Sequence, residues 1–125
     1  MKIEVSDGEI VDKFTILKIK LKHAPPFSQK YFNILEEYDI LKVIVKEMNL
    51  DSSLIEELEN INNSLWKIED DIRLMEKEKQ FNQSFIELAR SVYLTNDKRF
   101  EVKNKINILR NSKIKEEKIL PNYGT

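Results

Sequence analysis

Leu54-Ile55-Glu56-Glu57-Leu58-Glu59-Asn60-Ile61-Asn62-Asn63-Ser64-Leu65-Trp66-Lys67-Ile68-Glu69-Asp70-Asp71-Ile72-Arg73-Leu74-Met75 is the stretch that decides the fold. Within it Leu54, Leu58, Ile61, Leu65, Ile68, Ile72 and Met75 recur at alternating steps of four and three. That spacing keeps the seven side chains on one side of a helix, and a strand, whose side chains alternate at every residue, cannot do so. Asn49-Leu50-Asp51-Ser52-Ser53 precedes the seam as a break, and the helix is expected to run to about Lys79. At ~1.5 Å per residue it is roughly 40 Å long, which is long for a domain of this size, so one end is expected to project.

Towards the N-terminus, Ser28 is the expected cap of a helix reaching about Met48. Tyr31, Ile34, Leu35, Tyr38, Leu41, Val45 and Met48 lie along one side of it, and Phe32, Ile40 and Ile44 widen the apolar surface. So apolar a helix is expected to be covered on more than one side. His23-Ala24-Pro25-Pro26 ends the preceding helix, because residues before proline avoid helical geometry. That first helix starts at Ser6-Asp7-Gly8-Glu9, a capping box in which Ser6 accepts from the Glu9 amide and the Glu9 carboxylate reaches back. Its stripe is Ile10, Phe14, Leu17 and Leu21, and it runs to about Lys22. Met1 to Val5 alternate apolar and charged residues, the pattern of a short extended arm.

Towards the C-terminus, Gln80 to Ser84 is a link, and Phe85, Leu88, Ala89 and Val92 open another helix. Continued by helical steps, this stripe meets Asn96, Arg99, Lys103 and Asn107, so an apolar seam turns polar. Two readings stand. Thr95-Asn96-Asp97 caps a new helix and leaves the polar residues as cap and surface, which is the simpler reading. Otherwise one continuous helix aims them at its neighbours, where buried polar groups need partners or a ligand. Asn111-Ser112 ends the pattern, a short helix from about Lys113 to Ile119 is expected, and Pro121-Asn122-Tyr123-Gly124 reads as a tail. The fold expected is all-α: a single domain over residues 1–125, an antiparallel helical bundle of four to five helices, with the Leu54–Met75 helix as its long central spine.

Composition agrees. Two glycines and three prolines in 125 residues leave little of the turn chemistry that β-rich folds require. The absence of cysteine removes thiolate catalysis, thiolate metal ligands and disulfides, and fits a reducing compartment. The N-terminus has no apolar core of a signal peptide, and no apolar run approaches the roughly 20 residues of a membrane span. The protein is therefore expected in the cytoplasm and away from membranes. A net charge of −1 gives no bias towards nucleic acid. Charge is unevenly placed, however. Residues 51–78 hold nine acids against three bases, and residues 98–118 hold eight bases against three acids. The simplest reading is that the two segments lie side by side or are solvated.

Chemistry-bearing motifs are weak. Glu9-x-x-Asp12 and Glu56-x-x-Glu59 each put two carboxylates on one helical face, as in helical Mg-dependent nucleotide pyrophosphohydrolases, but such pairs arise by chance in a chain that is 34% charged. Basic residues in a helical bundle also suggest chorismate mutase, whose order and spacing this chain does not match. A lone His23 in a loop makes no zinc site, and there is no glycine-rich phosphate loop. No metal and no cofactor are expected. The unusual feature is the polar cluster: Asn96, Asp97, Arg99 and Lys103, with Asp70, Arg73 and Arg90 as neighbours, could hold a small anion through its arginines and lysine.

Four stretches carry a resemblance: Glu4-Val5-Ser6-Asp7-Gly8-Glu9-Ile10-Val11-Asp12-Lys13, Leu65-Trp66-Lys67-Ile68-Glu69-Asp70-Asp71-Ile72-Arg73, Phe85-Ile86-Glu87-Leu88-Ala89-Arg90-Ser91-Val92-Tyr93 and Asn96-Asp97-Lys98-Arg99. The chain resembles, over nearly its whole length, a family of short helical proteins of bacteria and their phages classed as a domain of unknown function. The resemblance supplies no activity. It implies neighbourhood to genes for surface polysaccharide assembly, and a signature made of Glu9, Asp12, Lys13, Trp66, Glu69, Asp70, Arg73, Arg90, Asn96, Asp97 and Arg99. Glu9, Asp12 and Lys13 thereby form a second polar cluster. Two functions are open: an interaction or adaptor protein acting through helix surfaces, expected to be a homodimer, and a bundle that binds a small anion or sugar phosphate.

Overall fold

In a computed structural model, which describes residues 1–121, the chain forms four helices. These are α1 (Asp7–His23), α2 (Gln29–Met48), α3 (Ser52–Lys77) and α4 (Gln83–Leu109). No strand occurs among the described residues, and no helix there is long and apolar enough to cross a membrane. Each helix begins on a side-chain oxygen that accepts one of the amides left free in the first turn. Ser6 accepts from Glu9, Ser28 from Tyr31, Asp51 from Ser53 and Asn82 from Phe85, at 3.0–3.2 Å. The last three helices end through residues in left-handed geometry, Asn49, Lys79 and Asn111, with φ of 51°, 56° and 48°. α1 instead ends on extended Ala24, as its following proline requires.

The seam of α3 is covered. Leu58 and Leu65 are buried, the other five seam residues are partly buried, and α4 packs along the helix. Leu58 joins Val11 of α1, Val45 and Met48 of α2, and Val102 and Ile106 of α4 in the apolar core. The centre of the assembly, however, is α1 and not α3. α1 packs against all three other helices, whereas α2 lies against α1 alone and only its C-terminal residues reach the core. The reason is composition: α1 buries polar as well as apolar residues, Val11, Leu17 and Ile19 together with Asp12 and Thr15, so more than one of its faces can be covered.

Three further expectations are corrected. α4 runs unbroken through Thr95-Asn96-Asp97, so the capped-helix reading fails and the polar stripe does turn inward. The stretch from Lys113 to Ile119 is not helical but irregular; the residues of the expected tail beyond Pro121 lie outside those described. The broad apolar surface of α2 is not covered on two sides, and Phe32, Ile40, Val43 and Ile44 are exposed. Residues 1–5 are exposed and form no strand, touching the rest through the ion pair of Glu4 with Lys113 at 3.1 Å. α3 and α4 do lie side by side, yet the buried charges of α4 pair with α1 and the C-terminal stretch.

Candidate functional site

The polar centre of the molecule is built where α1 crosses α4. Glu9 and Asp12 are three residues apart on α1, and Asn96, Arg99, Lys103 and Asn107 step along one face of α4. The helices approach closely because Gly8 has no side chain: a Cβ there would lie 2.5 Å from the Lys103 carbonyl oxygen. Asn107, itself buried, accepts the Gly8 amide at 2.7 Å through Oδ1. One of the unpaired amides of the α1 N-terminus is thus satisfied from the neighbouring helix.

Asp12 is wholly buried and fully engaged. Arg99 grips it with both arms of its guanidinium, Nε donating to Oδ1 at 2.9 Å and Nη2 to Oδ2. Asn62 of α3 donates to the same Oδ1 at 2.9 Å and to the Thr15 hydroxyl at 2.9 Å, and that hydroxyl donates to the Asp12 carbonyl at 2.8 Å. Asn96 completes Arg99 by accepting from Nη1 at 3.4 Å. Lys103 is buried with its ammonium 2.8 Å from Glu9, 2.8 Å from Glu116 and 3.9 Å from Asp12. The pull of the Glu9 carboxylate to Lys103 takes it away from the α1 N-terminus, so the capping box is only half formed: Ser6 caps, and Glu9 does not reach back.

The electrostatics follow from these pairings. The Asp12 hydrogen bond raises the pKa of Arg99 further, against the cost of burial. Burial is the largest influence on Lys103 and opposes its charge, but the carboxylates of Glu116 and Glu9 together outweigh it and leave the pKa raised. Both cations stay charged at any ordinary pH.

Glu116 comes from the irregular C-terminal stretch. Asn111 turns the chain, the Ser112 amide donates to the Asn107 carbonyl at 2.8 Å, and the Ser112 hydroxyl accepts from the Asp7 amide at 3.1 Å. The strand-less segment then runs back along α4, where Lys118 pairs with Asp97 at 3.2 Å and lies over the Phe100 ring at 5.8 Å. Between this strap and α4 is a cleft of about 550 Å³, with Asn96, Arg99, Lys103 and Glu116 in its wall.

Of the residues singled out in the sequence, the structure brings together Glu9, Asp12, Asn96, Asp97, Arg99 and Lys103. The two clusters, read separately, are one. Lys13 is not in it, since it faces outward and pairs with Glu37 of α2 at 2.7 Å. Asp70, Arg73 and Arg90 are also elsewhere, exposed on the far half of the α3–α4 pair. Sequence reasoning missed Thr15, Asn62 and Glu116. Asn62 had a signal: it follows Ile61 directly and so borders the buried seam. Thr15 lies three residues after Asp12, as Asp12 lies three after Glu9. Glu116 had none.

Chemically the site is a matched set of charges. Each cation is already held by at least one carboxylate, and every polar contact of Asp12 stays inside the protein. Such an arrangement fixes how helices dock, because removing any member strands a buried partner. Of the two acidic pairs, both members of the first, Glu9 and Asp12, face Lys103 and Arg99, and one member of the second, Glu59, faces Lys18 and Lys22.

An all-helical protein with an internally matched polar centre is a class defined by fold and not by reaction. The chain belongs to the family of unknown function DUF6165, whose family model matches residues 1–123. No curated protein and no solved structure matches it.

Proposed function

We propose that the protein is a non-catalytic interaction protein that acts through helix surfaces and works as a homodimer. One observation carries this reading: α2 is packed on one side only, and its other side bears Phe32, Ile40 and Val43 at 47%, 60% and 59% exposure. Large apolar residues gathered on one outward helical face favour a partner. Phe27, at the α2 start, extends the patch and is in ring contact with Phe32 at 6.4 Å. A symmetric pairing of α2 with α2 of a second copy covers this face with one kind of contact.

The far half of the α3–α4 pair is the surface for a further protein partner. Arg73, Arg90 and Asp70 are exposed there, beside exposed Leu74, Phe81 and Ile86. Aromatic or aliphatic side chains next to arginine are the composition of binding hot spots. In this reading the helices form one antiparallel bundle and a single domain, supported by the α1–α4 pairings Gly8 with Asn107 and Asp12 with Arg99, which run in opposite senses. The anion-binding reading has less support, because Arg99 and Lys103 already carry carboxylates of the chain itself.

Light scattering coupled to size exclusion tests the homodimer. The wild type is expected at about twice the 14.9 kDa chain mass at tens of micromolar, and Ile40→Glu/Val43→Glu at the mass of one chain with unchanged helicity. A wild type at single-chain mass throughout the range contradicts the proposal.

A further inference from the structure

A second cleft, about 490 Å³, lies where the C-terminal end of α1 and the N-terminal end of α2 meet the middle of α3. It exists because α2 does not follow α3: the two are held apart by α1, and Ala24 to Ser28 only join α1 to α2. Its floor is apolar, with Ile34 of α2, Pro25 of the loop and Trp66 of α3. Its charged residues are both basic: Lys20 and Lys30 line it beside His23 and no acid does, in a chain with 22 acids.

Two observations set this cleft apart from an ordinary solvated gap. Lys20 and Lys30 form no ion pair among the described residues, although Lys13, Lys18 and Lys22 on the same helix as Lys20 each reach a carboxylate. The Trp66 indole nitrogen is buried and has no acceptor among the described residues. An orphaned buried donor costs about 1–3 kcal/mol, and native proteins tolerate few of them. The Trp66 ring is stacked on one side by His23, with centroids 4.6 Å apart and planes 18° from parallel. His23 is exposed at the last position of α1, so it is the part of the wall most easily turned aside.

We infer that this cleft is a binding site for a small aromatic anion, an aryl carboxylate or aryl phosphate. The ring lies against Trp66 and Ile34 in the place His23 now covers, and the anionic group is held by Lys20 and Lys30. The carbonyls at the end of α1 oppose an anion, and Lys20, Lys22 and His23 in its last turn offset them. A ring without charge would leave the two lysines unmatched, and a charge without a ring would leave the floor wet. The class is set by the conjunction of both.

The test uses the sole tryptophan, which gives one indole cross-peak in a ¹H–¹⁵N spectrum. The full chain is titrated with 2-naphthoate, with the uncharged 2-naphthalenemethanol, and with acetate. The expected result is a saturable shift of the Trp66 indole peak with 2-naphthoate, at least fivefold weaker with the alcohol and absent with acetate. Lys20→Gln/Lys30→Gln should weaken 2-naphthoate binding at least tenfold; both lysines are exposed, so the rest of the spectrum serves as the check that the fold is kept. The inference is overturned if the indole peak does not move, if the alcohol binds as well as the acid, or if the double variant binds unchanged. None of these outcomes bears on the oligomeric state.

Discussion

Asp12 concentrates the physics of this protein. A carboxylate with no exposure is stable only when its charge and lone pairs are matched, and Arg99, Asn62 and the adjacent Lys103 match them. Asp12→Ala leaves a guanidinium, an ammonium and an amide facing an empty carboxylate site, and is expected to cost about 3–5 kcal/mol in chemical denaturation. Lys103 predicts a pH dependence. Its folded pKa stands above the ordinary 10.5, so its contribution is complete below that value and is lost as pH rises through the raised one. Stability measured from pH 9 to 11.5 should fall in the wild type, and fall less steeply in Lys103→Met. The polar face itself was legible, since Asn96, Arg99, Lys103 and Asn107 fall at helical spacing. Its partners were not: Glu9 and Asp12 are some ninety residues away in sequence, and no local pattern says which charge meets which.

At the scale of elements, all four helix starts were legible or nearly so, because a serine, aspartate or asparagine side chain satisfies a specific amide at each. Four-three spacing found α3 for the same reason: it counts turns. The continuity of α4 was not legible. Thr95-Asn96-Asp97 has the chemistry of a cap, and what holds it helical is tertiary, the docking of Arg99 on Asp12 of α1 and the pairing of Asp97 with Lys118. The α2 face was misread because apolarity reports a need for cover, not that the chain supplies it. Helix ends give a prediction of their own. Lys79 closes α3 in left-handed geometry at φ 56°, where a Cβ is strained and glycine is not. It is exposed, so Lys79→Gly should stabilise the protein by about 1 kcal/mol, read as a raised Tm.

At the scale of the molecule, the matched charges dock α1 on α4 and α3, and α1 in turn carries α2. Val45 and Met48 tie that outer layer into the core with Val11, and the rings of Phe14 and Tyr38, stacked at 5.1 Å, and the Lys13–Glu37 pair add to it. Its apolar outer side is therefore displayed on a firm support, which is the arrangement an interaction surface needs. The chain has no cysteine, so Val43→Cys places a single nitroxide label on this face. Double electron–electron resonance on that labelled protein measures the distance between copies. The account predicts one narrow, short distance, that of two helices packed about 8–10 Å apart plus the label linkers, abolished by dilution with unlabelled chain. A signal with no coupling between copies at high concentration would contradict it.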